Sequence, residues 1–201
     1  MAHPPLVLIH GLWDTPRLFR HLVTRLDGHR DPLLIPHLNH RLGHTPLLEL
    51  AQNLGERIDA EFGPDSTVDV LGFSMGGLIA RAWIQEFGGY RRTRRFLCVG
   101  SPQRGTLTAQ LVPRALLAGI ADMKIGSAFI RRLQRTQRRQ PDQLAQIDCR
   151  SYFCALDLMV IPSWLGVLPV GTARGLPAWS HPGLVSHPAS VETLAQALLE
   201  P

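Results

Sequence analysis

The chain has 201 residues, of which 45% are hydrophobic and 18% are charged, so one globular domain is expected rather than a disordered chain. The net charge is +5, but the arginine clusters that carry much of it contain few aromatic residues, which argues against a nucleic-acid-binding module. No apolar run approaches the roughly 20 residues that cross a bilayer, and no secretory signal pattern is visible at the N-terminus.

The first half of the chain alternates between strand and helix patterns. Residues 6–9 form a continuous apolar run, typical of a strand buried on both faces of a parallel sheet, and residues 33–35 form a second run. Apolar residues then recur at helical spacing over residues 46–62. A β-branched strand pattern follows at 67–73, and a helix is predicted at 76–87.

The second half adds strands at 96–99 and 152–156 and a terminal helix with an apolar face over residues 191–198. This alternation predicts an α/β fold with a mainly parallel sheet and helices on both faces. Residues 106–146 break the alternation, because they contain no strand-like run and many helix formers. We interpret them as a helical lid that covers one end of the sheet, within a single domain spanning residues 1–201.

The most specific motif is Gly-Phe-Ser-Met-Gly at residues 72–76, which matches G-x-S-x-G. A predicted strand runs into it and a predicted helix leaves it, which is the context that a serine nucleophile requires. The tight turn presents the Ser74 hydroxyl beyond the sheet edge, and the helix N-terminus favours negative charge there. Ser74 is therefore predicted to be a catalytic nucleophile.

A serine hydroxyl needs a base, and the base needs an orienting acid. Where this turn carries the nucleophile, the acid and then the histidine follow it along the chain. Asp157 directly follows the strand predicted at 152–156 and is the preferred acid. His181 and His187 are the two late histidines; His181 is preferred as the base, because Pro188 places His187 at a helix start.

The oxyanion hole is expected to use two backbone N–H groups. One belongs to Met75, the residue after the nucleophile, and the other to Leu12, in the loop after the first strand. His10, in the same loop, is interpreted mainly as a structural residue.

Together these segments resemble small bacterial lipases and esterases of the α/β-hydrolase superfamily. The resemblance is carried by five segments in family order: residues 7–11, 72–77, 99–106, 156–162 and 181–184. It implies an α/β-hydrolase fold, triad roles for Ser74, Asp157 and His181, and oxyanion-hole roles for Leu12 and Met75. It also implies that residues 126–133 belong to the lid, although the arginine-rich stretch at residues 131–139 departs from the family.

Several weaker signals concern ligands. Trp13, Met123, Phe129 and Trp164 are candidates for the substrate-binding pocket, although core packing is an ordinary alternative for each. His37, His40 and His44 have metal-like spacing but lie in a predicted loop without further ligands. We therefore expect no metal and no cofactor.

The sequence thus predicts an esterase or lipase that acts on ester or lipid substrates through an acyl-serine intermediate. An acyltransferase or thioesterase would use the same triad, and a non-catalytic lipid-surface protein is a further alternative. The arginines at 91–95 and 131–139 could form a solvated face or bind an anionic lipid surface. Three cysteines at irregular spacing indicate reduced thiols rather than a disulfide framework, so a cytoplasmic location is expected.

Overall fold

A computed structural model describes residues 3–201. Its centre is a six-stranded parallel sheet with the order β2-β1-β3-β4-β5-β6. The strands are β1 (Leu6–Ile9), β2 (Leu33–Leu34), β3 (Val68–Phe73), β4 (Thr93–Val99), β5 (Asp148–Phe153) and β6 (Thr172–Gly175). The predicted parallel sheet with helices on both faces is confirmed.

Eight α-helices are described within residues 3–201. They are α1 (Arg20–Leu26), α2 (Leu47–Phe62), α3 (Met75–Glu86), α4 (Ala118–Asp122), α5 (Ala128–Arg139), α6 (Asp142–Ala145), α7 (Gly183–Ser186) and α8 (Pro188–Leu199). Short 3₁₀ turns lie at Pro16–Phe19, Arg41–Gly43, Gly89–Arg91, Leu107–Ala109 and Ser163–Gly166. Over the described residues, no helix combines the length and apolar character that a membrane span requires.

The two faces of the sheet divide the core into two layers. In β1, Val7 and Ile9 pack into the layer that contains α2, α3 and α5. Leu6 and Leu8 pack into the opposite layer, with α1, α7 and α8. Successive strand side chains alternate between faces, so an uninterrupted apolar strand such as β1 supplies both layers.

Only the first part of the predicted lid at residues 106–146 lies near the site. Helix α5, within this segment, packs against α3, with Phe129, Ile130 and Leu133 in the core layer. It is therefore an amphipathic crossover helix between β4 and β5 rather than a cover over the site. Residues 106–123 are the part that approaches the site described below.

Two strand predictions also need correction. The strand predicted at 152–156 is β5, which begins at Asp148 and ends at Phe153, so Asp157 lies in the loop four residues further on. Its start was missed because Asp148 and Arg150 interrupt the apolar run, although they pair with each other at 2.8 Å. Strand β6 was not predicted, because Thr172–Gly175 is exposed throughout and has no apolar pattern.

Candidate active site

Ser74 occupies a sharp turn between β3 and α3. Its backbone has φ 54° and ψ −127°, a conformation that non-glycine residues rarely adopt and that costs on the order of 1–3 kcal/mol. The Ser74 N–H donates to the Val99 carbonyl of the neighbouring strand at 2.8 Å, which helps to hold the turn. The serine is therefore fixed at the carboxyl end of a central strand, where ligands bind in open α/β sheets.

Close packing around this turn explains the glycine at position 76. A Cβ atom on Gly76 would lie 2.2 Å from the Ile9 carbonyl oxygen and 2.6 Å from that of His10. Only glycine allows α3 to approach the end of β1 so closely. The first N–H groups of α3 lack intrahelical acceptors and lie beside Ser74, so the helix end favours negative charge at the serine.

His181 and Asp157 form a buried pair on two loops that follow the sheet. His181 Nδ1 and Asp157 Oδ2 are 2.8 Å apart. The other carboxylate oxygen of Asp157 accepts the backbone N–H groups of Met159 at 2.9 Å and Val160 at 3.0 Å. The ring of Phe73 packs against the imidazole, with centroids 4.8 Å apart. Both members of the pair are therefore held in one orientation.

The free nitrogen of His181 and the hydroxyl of Ser74 belong to one cavity. His181 Nε2 is buried and has no hydrogen-bond partner among residues 3–201, while Ser74 and His181 both line the cavity. No direct hydrogen bond joins the two side chains. Such bonds are often loose in an unliganded site and tighten around the substrate.

His187 occupies a different position from His181. It is the N-cap residue of α8, with Pro188 as the first helical residue, as its sequence position predicts. It is not part of the cavity lining. The structure therefore brings Ser74, Asp157 and His181 to one region and leaves His187 at a helix start.

The cavity beside Ser74 has a volume of about 180 Å³. Its wall is largely apolar, which suits an apolar ligand group. The apolar lining residues are Leu12, Trp13, Pro102, Ala109, Val112, Ile120, Met123, Met159 and Val160. Grooves of about 460 and 530 Å³ lie elsewhere on the surface and contain none of the predicted site residues.

The four candidate pocket residues separate into two groups. Trp13 and Met123 line the cavity, whereas Phe129 and Trp164 do not. Phe129 belongs to the buried side of α5, and Trp164 is largely exposed in a 3₁₀ turn. The structure thus places Phe129 and Trp164 outside the lining of this cavity, because hydrophobicity alone does not distinguish a pocket wall from the core or the surface.

The two residues predicted to form an oxyanion hole belong to the loop after β1 and to the start of α3. Leu12 lines the cavity, and Met75 is the first residue of α3. Between β1 and Leu12, Gly11 packs directly against the serine: a Cβ atom there would lie 2.9 Å from Ser74 Cβ and 3.3 Å from Oγ. The loop after β1 and the start of α3 therefore converge on the serine.

Asp14 is a site residue that was not predicted from the sequence. Asp14 lines the same cavity as Ser74 and His181. Burial raises the pKa of Asp14, an effect that His181, the Gly11 backbone and His40 partly oppose. Its only sequence signal was its position three residues after Gly11, and that position lies outside residues 7–11, the first segment of the family resemblance.

His10, which directly precedes Gly11, is packed in a cluster of three histidines. The His10 and His37 rings stack with centroids 5.6 Å apart, and the His40 ring meets His10 edge-on at 6.2 Å. Burial lowers the pKa of both His10 and His40. No group of side chains suited to a metal ion occurs within the described part of the chain.

Sequence comparison gives one family match. The sequence model of the alpha/beta hydrolase family matches residues 6–198, which is nearly the whole chain. No curated protein sequence matches the chain.

Solved structures share the fold at low sequence identity. A Bacillus licheniformis lipase, BlEst2 in mature form, is 15% identical with a TM-score of 0.75, over 98% of this chain and 92% of that one. Aspergillus fumigatus lipase B is 17% identical with a TM-score of 0.76, over 98% of this chain and 52% of that one. RedJ, a thioesterase from the prodiginine biosynthetic pathway of Streptomyces coelicolor, is 19% identical with a TM-score of 0.62, over 98% and 88%.

Proposed function

The chain belongs to the alpha/beta hydrolase family, and on that premise we propose that it hydrolyses carboxylic esters through an acyl-serine intermediate at Ser74. One observation carries the proposal. A serine in a strained strand-to-helix turn shares a cavity with a histidine whose other ring nitrogen is 2.8 Å from a buried carboxylate.

The proposed reaction begins when Ser74 Oγ attacks the ester carbonyl carbon. His181 Nε2 takes the hydroxyl proton and then delivers it to the departing alcohol oxygen, which leaves the acyl group on Ser74. A water molecule next attacks the acyl carbon while His181 again accepts a proton. Ser74 recovers its hydrogen and the carboxylic acid departs.

Asp157 has an orienting role in this proposal. Its contact with His181 Nδ1 fixes the tautomer in which Nε2 can accept the serine proton, and its charge stabilises the imidazolium that forms. The Met159 and Val160 N–H groups hold the carboxylate in place. The backbone N–H groups of Leu12 and Met75 are proposed to stabilise the oxyanion, and each donor would be worth about 3 kcal/mol in the transition state.

The apolar cavity supports an ester with a hydrophobic group near the scissile bond. Trp13 and Met123 are the predicted pocket residues that line it. Residues from the start of the segment between β4 and β5 also contribute, among them Thr106, Ala109 and Ile120. We propose that residues 106–123 form the cover of the site and that the domain spanning residues 1–201 acts as one unit.

Thioesterase activity is a second candidate. The RedJ thioesterase shares the fold, and the same three side chains would cleave a thioester by the same steps, with a thiol leaving in place of an alcohol. Rates on oxygen esters and thioesters with the same acyl group distinguish the two activities.

An anionic lipid surface is proposed as a partner. Arg135, Arg138 and Arg139 are exposed on α5 and form no ion pair within residues 3–201. Phe129, Ile130 and Leu133 hold the opposite side of this helix in the core, so the arginines are displayed from a fixed element. Clustered basic residues are attracted to anionic headgroups.

The test of the activity uses three variants and one ester. We expect Ser74→Ala and His181→Ala to lower kcat for p-nitrophenyl butyrate about 10⁴-fold or more, because loss of either triad member disables the unit. His187→Ala is the matched control, because it removes the same residue type outside the cavity. It should lower kcat less than about tenfold. Thermal melts establish that each variant is folded.

A covalent probe tests the nucleophile independently. A fluorophosphonate should label the wild type at Ser74, as peptide mass spectrometry can show, and should leave folded Ser74→Ala unlabelled. Full activity in Ser74→Ala, or labelling at another serine, would refute the assignment.

A further inference from the structure

Asp14 lies beside the proposed nucleophile but has no part in the proposed triad. A Cβ atom built on Gly11 would be 2.8 Å from Asp14 Oδ2 and 3.3 Å from Ser74 Oγ. The carboxylate and the hydroxyl therefore flank the same glycine. Asp14 also lines the cavity with Ser74 and His181, so a ligand that reaches the serine enters the field of this carboxylate.

No arginine or lysine side chain is paired with Asp14 within residues 3–201. Of the residues that line the cavity, only Asp14 and His181 are ionisable, and no lysine or arginine is among them. His181 already has its own carboxylate in Asp157.

The composition of the cavity wall differs from that of the whole protein. The chain carries 21 Lys and Arg residues against 16 Asp and Glu, yet the cavity wall contains a carboxyl group and no lysine or arginine. The acidic residue beside the serine therefore runs against the overall charge of the chain.

We propose that Asp14 is a specificity-determining residue that selects against anionic esters and favours esters with a positively charged group. This inference rests on the proposed ester hydrolysis and names the substrate class for the same site. In a cavity with an apolar wall, water screens a carboxylate poorly, so its effect on a charged substrate group is larger than at the surface.

The experiment compares esters that differ in charge and little in shape. The alcohol series consists of butyrylcholine, its uncharged isostere with a tert-butyl group in place of the trimethylammonium, and the butyrate ester of isethionate, which is anionic. The acyl pair consists of p-nitrophenyl butyrate and the mono-p-nitrophenyl ester of glutarate. The ratio of kcat/KM for charged and uncharged members is the readout, because it cancels effects common to all substrates.

Three variants isolate the charge. Asp14→Asn removes it and keeps the shape, whereas Asp14→Glu keeps it. Asp65→Asn removes a carboxylate at an exposed position outside the cavity and is the matched control for net charge.

We expect the wild type to discriminate against the anionic member by about tenfold or more in at least one series, and Asp14→Asn to reduce that ratio at least about fivefold. Asp14→Glu and Asp65→Asn should retain the preference. Added salt should weaken it in the wild type, a result that remains informative if Asp14→Asn does not fold.

Three results would overturn the inference. The first is a wild-type kcat/KM ratio near one in both series. The second is a ratio that Asp14→Asn or added salt leaves unchanged. The third is a folded Asp14→Asn variant whose kcat/KM falls equally for all substrates. Failure of the proposed function looks different: the wild type and Ser74→Ala would be equally inactive on every uncharged ester, and both proposals would then fall.

Discussion

At the scale of single residues, the site depends on how closely the backbone approaches Ser74. Gly11 touches the serine from the loop after β1, and Gly76 allows α3 to begin against the end of that strand. Both glycines provide space, but they face different neighbours. The Gly76 neighbours are backbone carbonyl oxygens, whereas the Gly11 neighbours are the side chains of Asp14 and Ser74.

This difference predicts a selective effect of Gly11→Ala. The added methyl would overlap Ser74 Cβ at 2.9 Å and Asp14 Oδ2 at 2.8 Å, so both side chains must shift while the backbone stays. We expect kcat/KM for p-nitrophenyl butyrate to fall about 100-fold, the scale of a displacement of about 1 Å in a catalytic group. The melting temperature should change little.

Gly175→Ala is the control for Gly11→Ala, because a Cβ atom at Gly175 meets nothing within 4 Å. It should retain wild-type kinetics. If Gly11→Ala kept more than half of the wild-type kcat/KM, Gly11 and Ser74 could not be in the contact described.

Residue-level prediction succeeded where a motif states a physical requirement. The turn at Ser74 needs small neighbours and a strand-to-helix context, so the sequence alone predicts a tight turn there. Asp14 and the core position of Phe129 carry no such signal. Whether a carboxylate faces a cavity, or a phenylalanine faces the core, depends on packing between segments distant in the chain.

At the scale of elements, apolar patterns located the buried strands and the long helices. Helix α2 begins at Leu47 and ends at Phe62, within one residue of its predicted start and at its predicted end. The apolar pattern did not reveal the edge strand β6, because all four of its residues are exposed. It also could not distinguish a lid from a crossover helix, because both carry an apolar face.

The position of α5 predicts different effects for two apolar residues of the same segment. Met123 lines the cavity, whereas Phe129 belongs to the core. Met123→Ala should therefore enlarge the cavity and shift the chain-length preference toward longer acyl groups. Phe129→Ala should leave that preference unchanged and lower the free energy of unfolding by about 3–5 kcal/mol.

Rates on p-nitrophenyl esters from acetate to palmitate, together with urea unfolding, measure both effects of these substitutions. Phe129→Leu provides a milder change if the alanine variant is too unstable. A shift in chain-length preference with Phe129→Leu and none with Met123→Ala would restore the interpretation of α5 as a lid.

At the scale of the whole molecule, the arginines fall into two groups: some form ion pairs within the fold, and others are exposed without a partner among the described residues. In the first cluster, Arg92 pairs with Asp59, Arg94 with Asp69 and Arg95 with Asp148. Asp69 is fully buried and also pairs with Arg30 at 2.8 Å. Much of the cluster at 91–95 therefore ties strands and termini together and is not a free basic surface.

The exposed arginines of α5 remain as the candidate for attraction to an anionic surface. We expect the protein to bind vesicles that contain anionic lipid more tightly than neutral vesicles, and to lose this preference at high salt. The triple variant Arg135→Gln, Arg138→Gln, Arg139→Gln should weaken binding about 100-fold, since each basic residue near such a surface is worth about 1 kcal/mol.

The control for this prediction is a second triple variant with the same change in net charge, Arg20→Gln, Arg57→Gln, Arg174→Gln, at exposed positions outside α5. Vesicle co-sedimentation at two salt concentrations measures both variants. If the two variants weaken binding equally, the attraction follows net charge rather than the α5 face. If only the α5 variant weakens it, that helix orients the protein on the membrane. Hydrolysis of a water-soluble ester should be unaffected by either variant, because the α5 arginines lie outside the cavity lining.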